Sequence, residues 1–164
     1  MDIPVPWLVG EATARARREG FSLSCDPAAG RLLAVLAACL PEPGCLSLTT
    51  GTGAGTAWIA SALLPRTDVP VTTVEKDPAT AALAAQGDWP CFVELRCAGA
   101  LDVLGEAGRF DLIFADAQGG KWEGLDHTIT ALAPHGMLIV DDMTAAPRWD
   151  TDQHAKQQQV RRHA

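Results

Sequence analysis

Residues 45–56, Cys-Leu-Ser-Leu-Thr-Thr-Gly-Thr-Gly-Ala-Gly-Thr, carry the clearest chemical signal in the chain. An apolar strand runs into a turn holding Gly51, Gly53 and Gly55, and the helix-like Trp58-Ile59-Ala60 follows. Glycine in such a turn lets a ligand approach the backbone where a Cβ would block it. A second apolar strand, 71–75, then ends in Glu75. An acid at that strand tip can accept hydrogen bonds from a ribose diol. The pair points to an adenosine-containing cofactor at the carboxyl ends of a parallel sheet.

The glycine spacing narrows the cofactor further. Gly51, Gly53 and Gly55 make G-x-G-x-G, with the third glycine one residue early for the G-x-G-x-x-G of a dinucleotide site. That favours a nucleoside without a diphosphate and disfavours an NAD-dependent enzyme. A glycine-rich strand-to-helix turn with no ligand is the plain alternative, and Glu75 at the right distance weakens it.

These residues need elements to hold them. A short polar helix is expected over Thr13–Glu19. Asp26-Pro27 reads as a cap followed by proline at the first helical position, and Leu32, Leu33, Leu36 and Leu40 then recur at helical spacing up to Pro41-Glu-Pro-Gly44. Strand 45–49 leads to helix 55–64, and strand 71–75 to a helix after Asp77-Pro78. Strand 92–96 leads to a short helix at 100–106. Strand 110–115 leads to a helix over 122–133 with Leu125, Ile129 and Leu132 as its apolar stripe. Pro134-His-Gly136 stops that helix before strand 137–141. A last helix is expected from Asp150 or Thr151 through Val160. Near-continuous apolar strands alternating with helices describe a doubly wound α/β domain with a mostly parallel sheet.

Composition bounds the rest. The 164 residues suit one domain, 1–164, and hydrophobic residues at 48% suit a globular chain. No apolar run approaches the length of a membrane span, and Met1-Asp-Ile-Pro-Val-Pro lacks the features of a signal peptide, so a cytoplasmic protein with no membrane partner is expected. The net charge of −7, without a basic patch interleaved with aromatics, argues against nucleic acid. The five cysteines (25, 39, 45, 91, 97) are odd in number and form no C-x-x-C pair, which suits reduced, buried thiols. Arg15, Arg17, Arg18 and Arg31 read as a solvated helix face, and His127, His135 and His154 as surface residues.

From about residue 24 to 145 the chain resembles class I S-adenosylmethionine-dependent methyltransferases, most closely the small catechol and caffeoyl-coenzyme-A O-methyltransferase group. The resemblance rests on helix Pro27–Leu40, the turn Thr50-Gly-Thr-Gly53 and Val74-Glu75-Lys-Asp77-Pro78. It continues through Phe110-Asp-Leu-Ile-Phe-Ala-Asp116-Ala and Gly136-Met-Leu-Ile-Val-Asp141-Asp142. It implies a Rossmann-like methyltransferase fold and a methyl transfer from S-adenosylmethionine to a hydroxyl of a small, aromatic acceptor. It places Thr50, Gly51, Thr52, Gly53, Thr56, Glu75, Lys76, Gly99, Ala100 and Asp116 around the cofactor, with Glu75 on the ribose. Residues 1–26 become a lid and substrate segment, 150–164 a C-terminal helix, and a homodimer is among the expectations.

The resemblance also implies a divalent metal, magnesium, on Asp116, Asp141 and Asp142, the last being Asp where the family usually has Asn. Asp116 and Asp141 each end an apolar strand, where carboxylates emerge at the ligand-binding edge. Acids gathered there repel one another unless a cation or protons neutralise them. Asp142 reads alternatively as a loop cap with Asp141 facing solvent, and both reach one ion only if the strand has ended. In the implied chemistry, a metal-bound hydroxyl attacks an aligned sulfonium methyl. Lys121 is the candidate base, although the family's lysine stands three residues after the strand-four acid and Lys121 stands five after Asp116. It reads equally as a surface lysine. Trp122 is either a pocket wall or packing.

Four departures from the family pattern stand out. Ser47 replaces an acid, Thr49 replaces the first glycine, and Gly99 stands where many members bond the adenine amino group with Asp, with Asp102 three residues further on. The chain also shows five strands where the resemblance implies two more in a reversed hairpin. A degenerate member that binds cofactor or a partner without turnover is therefore the alternative function.

Overall fold

The computed structural model describes residues 4–40, 44–66, 68–106, 108–144 and 151–163. The elements in chain order are α1 (Trp7–Arg18), α2 (Pro27–Ala38), β1 (Cys45–Leu48), α3 (Ala54–Leu63), β2 (Val71–Glu75) and α4 (Pro78–Ala84). They continue with β3 (Val93–Cys97), α5 (Ala100–Glu106), β4 (Phe110–Ala115), α6 (Leu125–Thr130), β5 (Leu132–Val140) and α7 (Thr151–His163). The Pro41-Glu-Pro helix stop and the Asp150 cap lie outside the described residues.

The strands pair in parallel in the order β3-β2-β1-β4-β5. The chain winds outward from β1 to β3, then returns to lay β4 against the other side of β1. The order therefore reverses between β1 and β4, and the crevice outside the carboxyl ends of those two strands is where open α/β sheets bind ligands. Successive strand residues face opposite ways. Cys45, Val71, Leu112 and Phe114 pack under Leu33, Ala37, Ile59 and Leu63 of α2 and α3 on one side. Leu46, Leu48, Val74, Ile113 and Ala115 pack against Val103, Leu104 and Ala131 on the other. Helices cover both faces, as near-continuous apolar strands require.

The caps form as their residue types dictate. Asp26 accepts from the backbone N–H of Ala28 at 2.8 Å, and Asp77 from that of Thr80 at 2.8 Å, each followed by proline at the start of its helix. Between α2 and α3, Gly30 lies against the Trp58 indole so closely that a Cβ would fall 2.1 Å from Nε1.

Four expectations need correction. The first helix starts at Trp7, not Thr13, and is not wholly polar: Leu8, Val9, Ala12 and Ala16 bury one face against α3. Arg15 is buried on that face, at 4% exposure, while Arg17 and Arg18 stay exposed. The helix expected over 122–133 contracts to α6. Gly124, at φ 69°, opens it, and Phe110 already donates to the Ala131 carbonyl, so β5 begins at Leu132. Pro134-His-Gly136 is thus an irregularity inside β5, where the register with β4 shifts, and Ile129 is exposed rather than core. Lastly, Cys39, Cys91 and Cys97 are exposed; only Cys45 is fully buried, and all five cysteines are free. His127 and His135 are exposed and His154 half-buried. Among the described residues no helix is long and apolar enough to cross a membrane.

Candidate active site

The turn after β1 is held from four directions. Thr49 and Thr50 both donate backbone N–H groups to the Val74 carbonyl, at 3.1 and 2.9 Å. The Thr73 hydroxyl contacts those of Thr50 and Thr56, each at 2.8 Å. Glu75 accepts from Gly51 N–H through Oε2 and from Asp77 N–H through Oε1, both at 3.0 Å. From the far side, Arg15 donates to the Thr52 carbonyl through Nε at 3.2 Å and Nη2 at 2.9 Å. A carboxylate oxygen has two acceptor positions, so Glu75 keeps capacity for a diol while it braces the turn.

Backbone conformation explains the glycines and one departure. Gly51 (φ 52°) and Gly53 (φ 98°) adopt left-handed backbone, and at Gly53 a Cβ would also meet the Trp89 ring at 2.6 Å. Thr49 sits at φ 106°, a strained position for a β-branched residue. Its two flanking bonds to Val74 and the Ser47 hydroxyl on its carbonyl at 3.3 Å hold it there.

A cavity of about 520 Å³ opens beside this turn, outside the ends of β1, β2, β3 and β4. Glu75, Lys76, Gly99, Ala100 and Asp116 line it together, with Asp102 and Glu123. Asp102 occupies the space a residue-99 side chain would enter, since its Oδ2 lies 2.6 Å from a Cβ built on Gly99. The turn itself is roofed by Leu23, Ser24 and Cys25, leaving only about 10 Å³ over Thr50, Gly51 and Thr52. Asp116 lines both spaces. Gly53 and Thr56 stand behind the turn, Thr56 with its hydroxyl on Thr73. Burial, with Asp141, Asp116 and Asp26 adding to it, pushes the Cys25 thiol up to about 12, so the roof presents a neutral thiol.

The acid cluster is built around a lysine. Asp116 donates its backbone N–H to the Leu48 carbonyl, and Asp141 to that of Ala115, so both leave adjacent strands side by side. β5 ends at Val140, which meets the condition for Asp141 and Asp142 to turn toward one point, and Asp142 does so at φ 60°. Lys121, 2% exposed, places Nζ 2.7 Å from Asp142 Oδ2 and 3.3 Å from Asp116 Oδ1, and 4.9 Å from the centre of the Trp122 ring. Asp141 Oδ1 accepts the Asp142 N–H at 2.7 Å. Among the described residues no three side chains of the His, Cys, Asp and Glu types are arranged to hold a metal ion. As placed, Asp116, Asp141 and Asp142 do not fit magnesium, because oxygens of two of them face an ammonium.

Burial raises the Asp116 carboxyl to about 6; Lys121 opposes the rise, and Asp141 and Asp142 add to it. A carboxyl with a higher pKa folded than unfolded binds its proton more tightly when folded. Its stabilising contribution is complete below the ordinary value of 3.8 and is lost as pH rises through about 6. Denaturant unfolding of the wild type and Asp116→Asn across that window should show wild-type stability falling relative to the variant. A difference independent of pH would remove the shift.

Arg15 belongs to no motif, and its signal in the sequence is positional: residues 8, 12 and 15 share one helical face, two of them apolar.

A family model described as a methyltransferase domain matches residues 48–143. A catechol O-methyltransferase from Niastella koreensis is 32% identical over 130 residues, covering 74% of this chain; the chain spans 58% of that relative's length. Among solved structures, the O-methyltransferase TomG from Streptomyces achromogenes, involved in tomaymycin synthesis and in complex with S-adenosylmethionine, aligns with a TM-score of 0.81. It does so at 21% identity, over 98% of this chain and 78% of its own. An O-methyltransferase from Bacillus cereus in complex with S-adenosylhomocysteine aligns at 0.77 and 23%, over 98% of this chain and 78% of its own. The chain belongs to the methyltransferase-domain family and has the Rossmann-like fold of these O-methyltransferases.

Proposed function

We propose that this chain transfers a methyl group from S-adenosylmethionine to a hydroxyl of a small, aromatic acceptor. The observation that carries the reading is the pairing of Glu75 and the left-handed glycine turn at the edge of the 520 Å³ cavity, at the reversal of strand order. The catechol O-methyltransferase relative and the cofactor-bound neighbours support it.

In this reading the nucleoside fills the cavity, with Glu75 accepting from the ribose diol and Lys76, Gly99 and Ala100 beside it. The methionine part enters over Thr50, Gly51 and Thr52, which requires the Leu23–Cys25 roof to lift. Gly53 and Thr56 fix the turn from behind. Asp116 lies in both spaces and is the carboxylate placed to take the acceptor's proton as its oxygen attacks the methyl carbon. A pKa near 6 suits a base working near neutral pH. Lys121, spent on two carboxylates, orients Asp116. Most of the rate gain then comes from alignment of oxygen, methyl and sulfur.

In the same reading residues 1–26 form the lid and substrate segment of a single domain, with 23–25 as the part that moves. The protein is cytoplasmic, which unpaired cysteines suit, and exposed Leu32 and Val35 on α2 supply the contact of a homodimer. Light scattering that reports only monomer would remove the last point.

Calorimetric titration with S-adenosylhomocysteine and with NAD, followed by turnover of S-adenosylmethionine on a panel of catechols, tests the function. Binding of the former alone, with methylated product, is the expected result. Binding without turnover would leave the non-catalytic reading, which the closed roof favours. Arg15→Ala should weaken S-adenosylhomocysteine severalfold by releasing the Thr52 carbonyl, with partial recovery in Arg15→Lys. Equal affinities in all three proteins would show that α1 does not support the turn.

A further inference from the structure

The five-residue offset between Asp116 and Lys121 has a structural origin. Trp122 and Glu123 both donate backbone N–H groups to the Gln118 carbonyl, and Gly120, at φ 85°, donates to the Glu123 carbonyl. The Thr128 hydroxyl donates to Gly120's own carbonyl at 2.7 Å. This compact turn carries Lys121 inward beneath the strand ends instead of out to solvent. A buried ammonium is unfavourable unless anions meet it. Here two do, Asp116 from the end of β4 and Asp142 from beyond the end of β5. The same contacts answer the repulsion among the acids, which needs a positive charge between them.

We propose that the Lys121 ammonium occupies the cation position of this acid cluster, holding Asp116 and Asp142 together without a divalent metal. Magnesium demands near-octahedral oxygens at about 2.0–2.1 Å. Asp116 Oδ1 and Asp142 Oδ2 are turned onto Nζ, and Asp141 Oδ1 already accepts a backbone N–H. An ion among these oxygens would sit against the like charge of Lys121, whose side chain is 2% exposed and has no solvent to retreat into. The inference concerns the same site as the methyl-transfer reading but does not rest on turnover.

The test is Mn2+ binding by the full chain without cofactor or acceptor, followed by electron paramagnetic resonance and calorimetry. Wild type should leave added Mn2+ in its free-ion spectrum. Lys121→Met, which keeps the apolar length and removes the charge, should bind the ion roughly tenfold more tightly or better. Adding Asp142→Asn to Lys121→Met should abolish the gain. A stoichiometric Mn2+ site in wild type that Asp142→Asn removes would overturn the proposal. So would a folded Lys121→Met, verified by circular dichroism, that binds no better than wild type. If the methionine variant does not fold, Lys121→Gln is judged by the same two criteria. No methyl transfer enters the readout, so failure here and failure of the enzymatic reading are distinct results.

Discussion

Glu75→Ala is expected to weaken S-adenosylhomocysteine binding by ~1–3 kcal/mol, roughly one to two orders of magnitude in Kd. Two causes act together. The carboxylate that would accept the ribose diol is lost, and Gly51 N–H and Asp77 N–H lose their acceptor, so the turn that shapes the site relaxes. Stability falls as well, because the Gly51 donor is buried. Glu75→Gln, which keeps one carbonyl acceptor, should lie between wild type and alanine on both measures. Calorimetry at a temperature where all three proteins are folded separates binding from unfolding. An alanine variant with wild-type affinity would take Glu75 out of the site, leaving it a brace for the glycine turn.

Phe114→Ala carries the largest expected effect on stability, ~3–5 kcal/mol, or roughly 6–20 °C in Tm for a domain of this size. The ring is 1% exposed, one residue before the end of β4, and packs into the cluster beneath α2 and α3. It also touches the first turn of α3, where a Cβ on Gly55 would stand 3.1 Å from it, and lines the closed space under the roof. The vacated volume therefore borders the cofactor turn, and affinity should fall with stability. Ile129 is the control. Periodicity assigned it to a helix stripe, yet it is 40% exposed, and Ile129→Ala should change stability by about 0.5 kcal/mol or less. Comparable losses in thermal unfolding for both variants would contradict the packing described.

The parts of the site that were legible beforehand are contiguous in sequence. Gly51, Gly53 and Glu75 lie within one strand–turn–helix–strand unit, and Asp26 and Asp77 announce their helices by local capping chemistry. The role of Arg15 is not written locally, because an arginine among arginines looks solvated; only the packing of α1 on α3 turns it onto the Thr52 carbonyl. The helix expected over 122–133 failed for a related reason. Its apolar spacing was compatible with a longer helix, but backbone pairing of Phe110 with Ala131 pulled Leu132 into β5. Tertiary pairing of that kind overrides local preference.

What the residues alone determined is the class of the fold and the chemistry of its first turn, because apolar strands alternating with helices, and glycine followed by an acid at a strand tip, are written locally. The tertiary structure alone decided where the acids and Lys121 meet. Lys121 lies between Asp116 and Asp142 only because β4 inserts beside β1, the last residues of β5 pair with those of β4, and the 118–123 turn folds inward. Strand order and register join residues far apart in the chain, and no local periodicity specifies them.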